Sequence, residues 1–132
     1  MRMLVNIDVP ALEPAIDFYC NALGFRCARI MDGSTAELVG GSSTVYLLLK
    51  PKGSAAAEGA DARRGYARHW TPVHLDFVVD DVEAAAARAE AAGARRESPC
   101  IEWRGSRCIT LSDPFGHGFC VIELTQGTYT DD

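Results

Sequence analysis

HLDFVVDDVEAAAARAEAAGA (residues 74–94) decides the fold, because it restates the opening of the chain, DVPALEPAIDFYCNALGF (residues 8–25). In the later stretch, Val73–Val79 alternates. Val73, Leu75, Phe77 and Val79 share one face, and His74, Asp76 and Val78 share the other, which is the period of a half-buried strand. Asp80 is placed to cap the following helix, and Glu83, three residues on, to complete a capping box. That helix is expected over Val82–Ala92, with Val82, Ala85, Ala86 and Ala89 as its buried stripe and Gly93 as its stop.

The earlier stretch reads the same way. Residues 4–9 form a strand with Val5, Ile7 and Val9 on one face and Leu4, Asn6 and Asp8 on the other. Pro10 ends it. A helix follows from about Leu12 to Leu23, with apolar positions Leu12, Ala15, Ile16, Tyr19, Ala22 and Leu23. Pro14 is tolerated in its first turn, and Gly24 stops it.

Three strands are expected after each helix. In the first half they are Phe25–Met31, Thr35–Val39 and Thr44–Lys50, punctuated by Asp32-Gly33 and Gly40-Gly41. In the second they lie near Arg95–Glu97, Arg107–Leu111 and Phe119–Leu124, with SDPFGHG turning between the last two. Val9, Leu12, Glu13 and Ala15 match Val79, Val82, Glu83 and Ala85 seventy residues on. The expected fold is therefore α+β: two pseudo-repeated βαβββ modules, about 4–51 and 73–125. Residues 52–72 lack strand periodicity and read as a connector. Its length suits a lid, a crossover or partial disorder.

Composition narrows the class. The chain has 132 residues, 48% of them hydrophobic and 23% charged, with a net charge of −5. This suits one globular domain. No apolar run approaches the ~18 residues of a membrane span, so a soluble, cytoplasmic protein is expected, without membrane partners. Only Arg63, Arg64 and Arg68 cluster, which argues against nucleic acid and suits a solvated loop. Five cysteines, an odd number with no CxxC, argue against a disulfide framework or zinc knuckle.

The two openings and the DPFG turn (Asp113–Gly116), taken together over about residues 4 to 125, resemble the vicinal oxygen chelate superfamily of glyoxalase, bleomycin-resistance and extradiol dioxygenase-like proteins. The resemblance implies that eight strands form a cupped mixed sheet, that a small molecule binds in the cup, and that the protein is a homodimer. It also implies metal positions, at the start of each module's first strand and in each module's last strand. Here these are Leu4, Leu47, His74 and Cys120. The leucines cannot ligate, which leaves two donors where a catalytic ion normally takes about three. A shifted register would exchange Cys120 for Glu123, with Asp8 or Asp76 as a third ligand.

The expectation is thus a metal-independent small-molecule-binding protein without a cofactor. The alternatives are a metal-dependent lyase, isomerase or dioxygenase that holds a divalent ion through His74 and Glu123 or Cys120, and a metal-free enzyme using His74 as acid–base. The expected ligand-binding residues are Asn6, Tyr46, His74, Asp76, Trp103 and Cys120. His74, Asp76 and Asn6 should form a polar patch flanked by Leu4 and Leu47, with Trp103 or Tyr46 as an aromatic neighbour. Trp70 and Phe115 are further candidates for the cup or its rim. Cys120 reads as a small apolar filler, His117 as an exposed turn residue, and Arg107 as the partner of a surface carboxylate.

Overall fold

The computed structural model describes residues 1–70 and 72–125. The chain divides into two compact units, one ending at Ala67 and the other beginning at Arg68. Each is a βαβββ module. The first contains β1 (Val5–Val9), α1 (Leu12–Leu23), β2 (Arg26–Met31), β3 (Thr35–Val39) and β4 (Val45–Leu49). The second contains β5 (Leu75–Val78), α2 (Val82–Ala91), β6 (Arg95–Arg96), β7 (Ile101–Trp103), β8 (Ser106–Ser112) and β9 (Gly118–Glu123). β7 is an addition to the expected set. It is a three-residue strand that folds back on β8 through Arg104 and Gly105, both at positive φ.

The two sheets share one strand order. In the first it is β1-β4-β3-β2, and in the second β5-β9-β8-β6, with β7 also on β8. In both, the first strand runs parallel to the last, and the last runs antiparallel to its other neighbour. The internal repeat read from the sequence is therefore a repeat of topology.

Helix α1 spans the expected residues. Gly24 closes it at φ 77°, donating its N–H to the Cys20 carbonyl, which is the left-handed stop that glycine makes without a Cβ penalty. Its buried side is Ala15, Phe18, Tyr19 and Ala22. Phe18, edge-on against Tyr19, is buried where the expected stripe had Ile16, which is half-buried. Helix α2 is capped by Asp81, not Asp80: the Asp81 carboxylate accepts from the Ala84 N–H at 3.1 Å. Glu83 does not reach back as a capping box. It pairs instead with Arg96 of β6, at 3.0 Å.

Ile7, Val9, Ala36, Leu38, Val45 and Leu47 form the core of the first unit with α1, and Val82, Ala86, Ala89, Ile109, Leu111, Phe119 and Val121 form that of the second. Leu47 corrects an expectation. Its Cα partner on β1 is Ile7, and side chains paired across a parallel ladder share a face. It is fully buried with Val9 and Leu38, so it belongs to the core and not beside Leu4 on the other face. Tyr46 and Leu48, one residue to either side, occupy the face of Asn6 and Asp8.

The connector is ordered by its arginines. Arg64 donates to Asp8 at 2.6 Å, to Ser54 Oγ and to the Ala55 and Ala56 carbonyls, and Tyr66 donates to the Lys50 carbonyl. Segment 51–66 is thereby tied to β1 and the end of β4. Arg68 forms a two-point pair with Glu97 in the second unit. Two of the three clustered arginines are thus clamps, where the sequence suggested a solvated loop.

Candidate functional site

The face of the second sheet away from α2 carries the site. Cα pairing sets Asp76 against Cys120, Val78 against Ile122, Thr110 against Cys120 and Cys108 against Ile122, so these side chains project on one side. His74, just before β5, joins them: its Nε2 lies 3.3 Å from Asp76 Oδ1. One ligand atom each from His74, Asp76 and Cys120 falls within 4.8 Å of the others. Alternate residues on one strand and the paired residue on its neighbour place three different functional groups at one spot.

The electrostatics keep Cys120 a thiol. Burial, then the neighbouring Cys108 thiol and the Asp76 carboxylate, push its pKa well above the ordinary range. At neutral pH it is a small neutral group that donates weakly. Cys108 is also raised, chiefly by burial.

Trp70 completes the cluster. Its indole stacks on the His74 ring at 4.5 Å between centroids and 20° between planes, and the Arg68 guanidinium lies over it at 5.5 Å. It is seated on Gly118. A Cβ at that position would overlap the indole Cε3 and lie 2.7 Å from Arg68 Nη2. Sequence reasoning named Trp70 only among several rim aromatics and read Gly118 as part of a turn. The signal for the pair is tertiary: His69 receives the Gly118 N–H and donates to the Gly116 carbonyl, which docks segment 68–70 along the start of β9.

Glu123 is not in this cluster, and the shifted register is corrected. Glu123 pairs with Arg107 across β8–β9, on the side of the sheet facing α2. Its carboxylate accepts from the Val82 N–H at 3.2 Å, at the start of α2. An anion suits a helix N-terminus, and Arg107 has the carboxylate partner expected of it. Trp103 stands on β7, across β9 and β8 from β5, 54% exposed and with Arg104 over its ring at 5.3 Å. The structure does not bring it into the cluster.

In the first unit, Asn6, Tyr46, Glu37 and Arg29 form a row across β1, β4, β3 and β2. Tyr46 donates to Glu37 at 2.9 Å, and Arg29 contacts both Glu37 oxygens at 3.3 Å. These hydrogen bonds, Tyr46 first and then Arg29, hold the Glu37 carboxyl below its ordinary range, and Glu37 in turn raises the Tyr46 phenol. A depressed carboxyl stabilises the fold above its unfolded value, and that stability is lost as pH falls through the folded value. Glu37→Gln is therefore expected to lose less stability than the parent chain between about pH 5 and pH 3, as followed by thermal denaturation across that range.

His117 also differs from expectation. Its Nδ1 lies 2.7 Å from Asp113, whose fully buried carboxylate accepts the N–H groups of Phe115 and His117 as well. The segment is turn chemistry, as the sequence indicates, but the imidazole is part of the lock and is only 20% exposed.

The fold has many counterparts among solved structures. A lactoylglutathione lyase from Agrobacterium tumefaciens is similar over 98% of this chain and 97% of its own, at 22% identity and a TM-score of 0.68. A glyoxalase/bleomycin resistance protein/dioxygenase family enzyme from Burkholderia phytofirmans PsJN covers 92% and 97%, at 21% identity and 0.72. TioX from Micromonospora sp. ML1 covers 93% and 98%, at 21% identity and 0.70. At these identities the likeness is one of fold. No curated protein sequence matches the chain. The model of the glyoxalase-like domain matches residues 4–122, through both βαβββ modules. With that span and the paired modules, the chain belongs to the glyoxalase-like domain family, within the vicinal oxygen chelate superfamily.

Proposed function

We propose that the protein binds a small molecule at the His74–Asp76–Cys120 cluster, without a metal ion and without making or breaking a bond. The observation that carries this reading is the convergence of three polar groups within 4.8 Å on a sheet face that also bears Val78 and Ile122, beside the indole of Trp70. A few polar groups among apolar and aromatic ones is the usual composition of a small-molecule site. Without a metal the buried Cys120 thiol is neutral and can donate a weak hydrogen bond to a ligand. Asn6 and Tyr46, paired on one face of the first unit's sheet, are further candidates within that unit, and Trp103 is a separate candidate at the edge of the second. The assembly is a homodimer, and light scattering at micromolar concentration tests that part: a monomer alone contradicts it.

One observation favours a second reading. His74 Nε2, an Asp76 oxygen and Cys120 Sγ are the nitrogen, oxygen and sulfur donors that a zinc-like ion takes, and three protein ligands with an open position is the pattern of a catalytic site. A metal bound there would lower the Cys120 pKa outright and polarise a substrate oxygen. His74 and Asp76 would then hold the ion as well as each other. Elemental analysis of untagged protein purified without chelator separates the two readings. The expected result is substoichiometric zinc, iron, manganese and nickel. Stoichiometric metal that disappears in both His74→Ala and Cys120→Ser would replace the first reading with the second.

A further inference from the structure

We infer that Trp70 is the positioning residue of this site, seated on Gly118 and clamped by Arg68–Glu97 so that its indole holds the His74 imidazole against Asp76. The inference rests on the reading of the His74 cluster as the ligand site, and it goes beyond that reading in assigning a task to four residues outside the cluster, Trp70, Gly118, Arg68 and Glu97.

Four observations carry it. The indole and imidazole planes are 20° apart at 4.5 Å, which is a stack and not an incidental edge contact. A stack constrains both torsions of the histidine, because rotation about either would turn the ring out of the plane of its partner. Asp76 Oδ1 lies 3.3 Å from Nε2 of the same ring, so the imidazole has a second contact besides the stack. Secondly, the indole can lie there only because position 118 has no side chain. The strand would otherwise meet the ring at Cε3. Gly118 is not among the positive-φ glycines, so the demand on this residue is steric and not conformational.

Thirdly, the Arg68 guanidinium lies over the indole at 5.5 Å, and Arg68 makes a two-point pair with Glu97, with Nε at 2.6 Å from Oε2. The planar fork of arginine suits both contacts at once. Fourthly, the backbone of the segment is pinned: His69 exchanges hydrogen bonds with Gly116 and Gly118 at 2.9 and 3.1 Å. Trp70 is thus held by backbone, seat and clamp, and His74 is what it faces. Stacking of this kind keeps a histidine in one orientation before a ligand arrives, which removes part of the ordering cost of binding.

The test follows His74 itself, using the full chain and diethylpyrocarbonate, which acylates accessible imidazole nitrogens. The chain has three histidines, so peptide mass mapping gives a separate rate for each. His117, held by Asp113 and edge-on to His69, is the internal reference for the Trp70 and Glu97 variants, and not for Gly118→Ala, whose changed residue adjoins it. In Trp70→Ala the His74 rate is expected to rise about two- to ten-fold, the change in undocked population when an aromatic stack is lost, with His117 unchanged. Trp70→Phe should restore most of the protection, and Gly118→Ala should behave like Trp70→Ala although it removes no aromatic group. Glu97→Gln leaves ring and strand intact and should give a smaller rise in the same direction, which keeps the test valid if a larger change prevents folding.

Proton NMR supplies the second readout: the His74 ring protons should lie upfield in the parent chain through the indole ring current, and return downfield in Trp70→Ala. A His74 rate equal in the parent and Trp70→Ala, with both chains folded, overturns the inference. So does the absence of the upfield shift in the parent. Neither result bears on whether His74 binds a ligand, which fails separately if ligand affinity is indifferent to His74→Ala.

Discussion

Replacing Leu47 with alanine is expected to lower the stability of the chain by about 2–5 kcal/mol, the range for a large aliphatic side chain deleted from a packed core. Leu47 is completely buried, pairs with Ile7 on β1 and with Ala36 on β3, and lies among Val9, Leu38 and Val45. Helix α1 packs on β3 and β4, so little of the surrounding structure is free to collapse into the space left behind. Urea denaturation at neutral pH measures the change through the midpoint at constant slope. The result also separates two placements of this residue. A leucine lining an open ligand site would lose well under the core value on truncation, whereas Leu48, one residue on and on the other face, is the position where a mild effect belongs. A loss below about 1 kcal/mol for Leu47→Ala would sink the core assignment.

Asp113→Ala should be comparably damaging, by about 2–4 kcal/mol, and for an electrostatic reason. The Asp113 side chain is fully buried, and one carboxylate serves three donors: the Phe115 N–H at 2.8 Å, the His117 N–H at 2.9 Å and His117 Nδ1 at 2.7 Å. Alanine leaves all three without that acceptor, and unpaired buried donors cost more than the hydrogen bonds themselves contribute. The turn they close delivers the chain into β9, which carries both Cys120 and Gly118. Asp113→Asn keeps one acceptor oxygen and should fall between alanine and the parent. Thermal denaturation of the three chains orders them, and an Asp113→Ala chain as stable as the parent would refute the account.

The consequences for the site are linked. His74, Asp76 and Trp70 meet over β9, and the register of β9 is set on one side by β5 and on the other by β8. A disturbed turn at Asp113–His117 therefore propagates to Gly118, where the indole is seated, before it reaches Cys120. Asp113→Ala should accordingly expose His74 as well as destabilise the chain.

Much of this was legible in the residues themselves. Period-two alternation in Val5–Val9 and in the strand after His74, followed by 3.6-period helices ended by Gly24 and Gly93, specifies two βαβββ modules, because burial of one face leaves a strand little freedom of register. The alternation also places Asn6 on the face opposite Ile7, and His74 with Asp76 opposite Leu75 and Phe77. β4 and β9 were harder. VYLLL and FCVIE are apolar at nearly every position, so alternation gives no phase. Only the ladders decide: Ile7 with Leu47 sends Leu47 into the core, and Asp76 with Cys120 brings the thiol to His74 and sends Glu123 to the start of α2. The clamps escaped for a different reason. Arg64 with Asp8, Arg68 with Glu97, and Trp70 with Gly118 join residues 56, 29 and 48 positions apart, and no local period encodes such a contact. Local sequence sets which face of an element is apolar. Which polar groups then converge is set by the hydrogen-bond register between strands and by loops docked across them, and these exist only once the chain has folded.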